Sequence, residues 1–312
     1  MARDDAVDLE RYRGELLVFC YRMCGSYHDA EDVVQETLLR AWRARDRYDE
    51  TRASVRTWLY RIASNTCLSM LEGRSRRPLP SGLVARSEDP YAPLVPAVDI
   101  PWLEPFPDPS VDVAVRGDVR LALVAALQLL PPRQRAVLVL REILGFSAAE
   151  VAVELDMSVN AVNSALQRAR TAVAGGPDEA EIDEPNDPKV RAVVERYVAA
   201  FEAADVPALV RLLTDDVVLE MPPVALWYRG AQHYGAFMQR VFATRGMPWA
   251  VRTLTANGQP TLAAYAPTPD GPLRLHTLQV LTVTGGLVAR NTVFADPGVH
   301  AMFSLSAAVP PD

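Results

Sequence analysis

At 312 residues the chain exceeds what one hydrophobic core usually serves, so two or three folding units are expected, each large enough to need no disulfides. A 49% hydrophobic fraction and a mean hydropathy of +0.01 describe an ordinary globular chain rather than a disordered or membrane one. No apolar run approaches the roughly 20 residues of a membrane helix, and the acidic start is unlike a basic secretory leader, so a cytoplasmic protein is expected.

The net charge of −7 argues against a uniformly basic nucleic-acid binder, yet acid concentrates at 178 to 187. Arg74, Arg76 and Arg77 close the N-terminal stretch, and Arg168 and Arg170 close the central one, leaving local basic ends.

Residues 9 to 73 carry apolar positions at helical spacing and no proline, which predicts a helical domain. Cys20, Cys24 and His28 recur at helical spacing as metal ligands could, but Gly25 interrupts them and no fourth ligand is evident. With Cys67 they make an odd number of thiols, which reads as small buried side chains; no metal or cofactor is expected. Over 29 to 42 the stripe Ala30, Val33, Val34, Leu38, Ala41 and Trp42 is predicted to turn inward. Asp32, Gln35 and Glu36 then lie opposite, as a solvated surface or a partner's docking face. Over 57 to 71 the inward stripe is Leu59, Ile62, Ala63, Thr66, Cys67 and Met70, with Trp58, Arg61, Asn65 and Ser69 on another face. An aromatic, a guanidinium and an amide on one surface suit unpaired bases, although Trp58 could equally pack on a neighbouring helix.

From 78 to 109 prolines forbid continuous helix and predict a linker of extended reach. Helical spacing returns over 111 to 173, with Pro131 and Pro132 suited to the first turn of a helix. The run SAAEVAVELDMSVNAVNSALQRARTAV has the layout of two helices joined at 156 to 158. Ser158 would cap the second helix, and Asp156 tolerates a left-handed turn. Val159, Val162, Leu166, Ala169 and Val173 are predicted inward against Val151 and Leu155. Asn160, Asn163, Ser164, Gln167, Arg168 and Arg170 face out, equipped for a major groove or simply for water.

Gly175, Gly176 and Pro177 stop that helix, and an acidic linker runs to 188. Beyond it an amphipathic helix, a short second helix and strand-like runs at 216 to 221, 249 to 256, 260 to 266, 273 to 284 and 287 to 294 predict an α+β domain. Gly285 and Gly286 signal a hairpin. Glu220, Trp227, Tyr228, His276 and Asp296 are candidates for a pocket there, where paired acid and base groups could exchange protons; spacing alone does not bring them together.

AEDVVQETLLRAW followed by TWLYRIASNTCL resembles the second conserved region of extracytoplasmic-function (ECF) sigma factors of the sigma-70 family. LPPRQRAVLVLRE ahead of the helix-turn-helix resembles region 4, and the last domain, ending VFADPGVHAMFSL, resembles SnoaL-like domains. The resemblance implies a multidomain chain: an all-α region 2 domain (9 to 77), a proline-rich linker (78 to 110), an all-α region 4 domain (111 to 174), an acidic linker (175 to 188) and an α+β SnoaL-like cone (189 to 305). By the same resemblance Asp32, Gln35 and Glu36 would dock on the core RNA polymerase. The loop 46 to 56 with Arg56, Trp58, Arg61 and Asn65 would read the minus 10 element. Ser158, Asn160, Asn163, Ser164, Gln167, Arg168 and Arg170 would read the minus 35 element. Ser69 departs from the aspartate frequent in the family. The implied protein is no enzyme, and its C-terminal domain would contact and regulate the sigma domains. Two alternatives are an ordinary helix-turn-helix regulator with a ligand domain, and a SnoaL-like enzyme with a DNA-binding leader.

Overall fold

Four serine-capped helix starts and one glycine stop set the frame of the N-terminal half. The computed structural model describes residues 8–51, 53–108, 119–174, 182–184, 186–269 and 271–310. Helix α1 (Arg13–Cys24) ends at Gly25, whose φ of 67° is left-handed and whose N–H returns to the Tyr21 carbonyl. Ser26 caps α2 (Tyr27–Ala44) by accepting from the Asp29 amide, and Ser54 caps α3 (Val55–Leu71) by accepting from that of Thr57. Every residue of α1 from Leu16 to Cys24 is buried, so it is the central helix, packed by α2 and α3. Cys20, Cys24 and Cys67 are buried free thiols, and burial pushes the Cys20 thiol up, whereas His28 lies at the surface.

Two expectations from helical wheels fail at their margins. Trp42 is 55% exposed, because at about 100° per residue it falls at the stripe's edge, beside Gln35 and Leu39. Val159 is 44% exposed, as the first residue of its helix, outside the run that meets the neighbouring helix.

Helices α4 (Leu121–Gln128) and α5 (Pro132–Leu138) follow, with Pro132 in the first turn of α5 and a π-turn at Val139–Ile143 continuing it. Ser147 and Glu150 form a reciprocal capping box at the start of α6 (Ala148–Glu154). Asp156 takes the left-handed turn at φ 52°, and Ser158 caps α7 (Val159–Val173). Residues 1–77 and 108–176 make one compact unit in which α4, α5 and α6 pack on α1 and α3.

The second unit comprises residues 78–107 and 177–312. Helices α8 (Pro188–Glu202) and α9 (Val206–Val210) precede strands β1 (Leu213–Glu220) and β2 (Trp227–Arg229). Then come α10 (Ala231–Arg245), β3 (Ala250–Ala256), β4 (Gln259–Thr268), β5 (Gly271–Thr284), β6 (Leu287–Phe294), the short α11 (Pro297–Ala301) and β7 (Ala308–Val309). The sheet order is β2-β1-β6-β5-β4-β3, with β7 on β5; among the described residues only β1 and β6 pair in parallel. Register shifts within β5 curve the sheet around α8 and α10. Gly285 and Gly286, at φ 59° and 74°, make the expected β5–β6 turn. The strand pattern did not reveal α10, although Tyr234, Phe237, Met238 and Phe242 recur at helical spacing and are buried. Gly235 lets α10 approach α9: a Cβ there would lie 2.8 Å from Val210.

The proline-rich segment is not the extended linker its composition predicts. Residues 78–107 belong to the second unit; Leu79, Trp102, Leu103 and Phe106 are buried, and Ala92 packs against the unit's core. Proline removes donors but leaves carbonyls free to accept, and the sheet side supplies the donors. Trp227 Nε1 donates to the Val84 carbonyl at 2.9 Å, Tyr228 Oη to that of Asp89 at 3.0 Å, and Arg240 to those of Pro90 and Ala92 at 2.9 and 2.7 Å. The remaining amides answer in kind: Ser87 donates to the Trp227 carbonyl and Ala97 to that of Pro223, while Asn257 and Phe106 exchange a pair.

Candidate nucleic-acid interface

Helix α3 presents Arg61, Asn65 and Ser69 to solvent, while Trp58 is half-buried with its ring 4.9 Å from that of Tyr48. The Tyr48 hydroxyl donates to the Ala53 carbonyl at 2.9 Å, bracing the loop that precedes the helix. Arg56 is occupied within the protein: its Nε lies 2.8 Å from Glu15, and its guanidinium sits 4.9 Å from the Tyr60 ring and 5.5 Å from the Phe146 ring. Tyr60 itself meets Phe146 edge-on at 5.5 Å.

Helix α6 seats Glu154 beneath the same face. It is 2% exposed, and neither carboxylate oxygen makes a hydrogen bond among the described residues. Burial first and Glu150 second push its carboxyl up to about 8, against the pull of Arg61 and Arg56. Its folded pKa stands above the ordinary 4.5, so the group costs stability as pH rises from 4.5 to about 8, and the loss then levels off. Glu154→Gln is expected to flatten that dependence and to stabilise the unit by about 1–3 kcal/mol at pH 7. Urea unfolding of both proteins at pH 5, 7 and 9 measures it; parallel pH profiles would contradict the assignment.

On α7, Asn160, Asn163, Ser164, Gln167 and Arg168 are exposed. Ser158 spends its hydroxyl on the helix cap, and Arg170 reaches Glu142 at 2.5 Å. On α2, Asp32 and Gln35 are exposed, Glu36 pairs with Arg40 at 2.6 Å, and Leu39 and Trp42 extend the same surface.

The five pocket candidates of the C-terminal unit do not converge. Glu220 is fully buried and accepts from the Ser81 amide and hydroxyl, from Arg290 at 2.5 Å and from Thr292. Trp227 and Tyr228 hold the proline-rich segment, and Asp296 caps α11 through the Gly298 amide. His276 alone of the five lines a cavity of about 440 Å³. The reason is geometric: alternate residues of a strand face opposite sides of the sheet, and 227 and 228 sit on the edge strand that the segment covers.

Comparison with known proteins gives sigma-70 region 2 at residues 9–77, sigma-70 region 4 at 120–173 and a SnoaL-like domain at 194–291. The ECF RNA polymerase sigma factor SigG of Mycobacterium tuberculosis H37Rv is 46% identical over 314 residues, spanning 97% of this chain and 84% of SigG. The chain belongs to the ECF RNA polymerase sigma factors. A second relative, SigJ of the same organism, is 34% identical over 67% of this chain and 62% of SigJ. The crystal structure of SigJ superposes with a TM-score of 0.67 at 26% identity, covering 95% of this chain and 98% of that one.

An ECF sigma factor is a transcription initiation factor, and the outward polar faces of α3 and α7 belong to its two DNA-binding regions. Among the described residues no helix is long and apolar enough to cross a membrane. Sequence reasoning missed Leu39 and Trp42 as surface residues of region 2, and missed Arg240 and Asn257 as holders of the 78–107 segment.

Proposed function

We propose that this sigma factor docks on core polymerase through Asp32, Gln35, Glu36, Leu39 and Trp42. It reads the minus 10 element with Arg56, Trp58, Arg61 and Asn65, and the minus 35 element with the exposed face of α7. Its C-terminal unit restrains these activities by holding the segment that joins regions 2 and 4. It acts in the cytoplasm, where polymerase and promoter meet.

The observation that carries this reading is the docking of residues 78–107 on the C-terminal unit while both DNA-binding regions share one compact unit. The two promoter elements are about 25 base pairs apart, about 85 Å along the duplex. A packed unit of this size has a radius of gyration of only about 15 Å, so both elements are engaged together only after region 4 leaves region 2. Arg56 and Tyr60 must then give up Phe146. A free segment of about 30 residues spans about 100 Å when extended, whereas a docked one does not.

Promoter-dependent initiation by bacterial core polymerase tests the reading. Full-length protein carrying Trp227→Ala and Arg240→Ala, which loses three hydrogen bonds to the segment, is expected to initiate several-fold more than wild type. Unchanged or reduced initiation, with intact polymerase binding, would overturn the restraint. No initiation by any form, despite tight duplex binding, would favour an ordinary helix-turn-helix regulator.

A further inference from the structure

The cavity of about 440 Å³ opens between α8, α10 and the concave face of the sheet. Its walls include Phe201, Met221, Phe237 and Trp249, so most of what it offers a ligand is apolar contact. Its floor is polar. The Asn291 side chain, itself 1% exposed, donates to the Tyr234 hydroxyl at 2.8 Å, to Gln279 at 2.9 Å and to the Tyr197 hydroxyl at 3.3 Å. The two tyrosine hydroxyls also bond each other. Asn291 Oδ1 is left without a hydrogen-bond partner among the described residues, a buried acceptor that costs free energy until something donates to it. His276 stands on the wall beside Trp249, its ring 5.8 Å away, and burial holds its imidazole at about 4, so at neutral pH it is an uncharged hydrogen-bonding group. None of these groups belongs to the polymerase- or promoter-binding faces proposed above.

Two further lining residues come from far away in sequence. Leu94 and Pro96 belong to the docked proline-rich segment, and Arg240, which also lines the cavity, is the residue that grips the Pro90 and Ala92 carbonyls. The segment therefore supplies part of the cavity wall, and whatever fills the cavity touches it.

We propose that this cavity binds an uncharged, mainly apolar small molecule carrying a hydroxyl, with Leu94 and Pro96 as its lid, so that ligand occupancy and docking of residues 78–107 stabilise each other. An apolar body fills the space between the aromatic walls, and the hydroxyl meets the unsatisfied amide of Asn291. The hydroxyl donates its proton to Asn291 Oδ1, which the oxygen of an ether cannot do. The coupling is reciprocal: a ligand that contacts the docked segment favours the docked state by its differential affinity for it. Binding itself is independent of the regulatory reading above.

The test uses the full-length chain and a matched pair of fluorescent probes, 1-hydroxypyrene and 1-methoxypyrene. The hydroxyl compound is expected to bind one to one and at least tenfold more tightly than its methyl ether. Asn291→Leu is expected to erase that preference. Met238→Trp, which fills the cavity from α10, is expected to abolish binding of both, and Leu94→Asp in the lid to weaken both several-fold. Saturation with 1-hydroxypyrene is expected to slow hydrogen exchange of the Ala97 amide, which bonds the Pro223 carbonyl, by at least threefold. Equal affinity for the two probes would reduce the cavity to an unspecific apolar slot and overturn the proposal. So would failure of both to bind, or binding that survives in a folded Met238→Trp protein. Tight, selective binding with unchanged exchange at Ala97 would overturn the lid.

Discussion

Replacing Arg135 with alanine is expected to destabilise the helical unit by about 3–5 kcal/mol. Its side chain is 2% exposed and reaches across the unit from α5. Nη1 donates to the Met23 carbonyl and, at 2.7 Å, to Gln128 Oε1; Nη2 donates to the Leu130 carbonyl at 3.1 Å and to that of Gln128 at 3.4 Å. Met23 is in the last turn of α1, where carbonyls lack intrahelical partners and a cation is favoured by the helix dipole. Gln128 meanwhile donates to the Arg22 carbonyl, so one guanidinium and one amide join region 4 to the end of the central helix of region 2. Burial lowers the Arg135 pKa to about 10, which leaves it cationic at neutral pH. Alanine would leave these buried acceptors without a donor and open a cavity. Lysine, with a point charge in place of a planar fork, is expected to recover only part of the loss. Urea unfolding followed by far-UV circular dichroism measures both. A loss below about 1 kcal/mol for Arg135→Ala would show that water or the backbone replaces the guanidinium readily.

Trp42→Ala is expected to weaken binding to core polymerase by about 30-fold, about 2 kcal/mol, while changing the stability of the free protein by less than about 0.5 kcal/mol. The two effects separate because the ring is 55% exposed and, among the described residues, stacks under the Arg45 guanidinium at 4.0 Å. Leu39, 40% exposed, lies one turn away, and Asp32, Gln35 and Glu36 border the pair. An apolar centre with a charged rim is the arrangement in which the aromatic carries affinity and the carboxylates steer encounter. Asp32→Ala is accordingly expected to cost under about 1 kcal/mol and to lose its effect at high salt. Fluorescence anisotropy of labelled protein titrated with core enzyme at two salt concentrations measures both binding losses and the salt dependence, and urea unfolding measures the stability. Equal losses for Trp42→Ala and Asp32→Ala would place the docking surface elsewhere.

How far such assignments are legible from sequence depends on the range of the interaction involved. The caps at Ser158 and the turns at Asp156 and Gly285–Gly286 follow from a residue and its next few neighbours, and all occur where the sequence places them. The inward stripes of α2, α3 and α7 follow from helical periodicity, with Ile62, Met70 and Val173 only half-buried and Trp42 and Val159 exposed where the neighbouring helix no longer covers the face. The outward positions of Arg61, Asn65, Asn163 and Arg168 were legible for the same reason, since what is not in the stripe faces water.

The occupation of Arg56 by Glu15 and Phe146 was not legible, because those partners lie 41 and 90 positions away and no local rule selects them. The same holds for Glu220, Trp227 and Tyr228, whose chemistry suggested a pocket and whose actual partners are Ser81, Val84 and Asp89. Sequence by itself determined most of the helices and strands, α10 excepted, and which of their faces are polar, since these depend on backbone preference and periodicity within a few turns. Only the tertiary structure decided that region 4 packs on region 2 through Arg135, and that a proline-rich stretch exchanges hydrogen bonds with the edge strand and α10 of the C-terminal unit. Each of those outcomes rests on hydrogen bonds between groups distant in sequence, and hydrogen-bonding capacity can be counted from composition while the partner cannot.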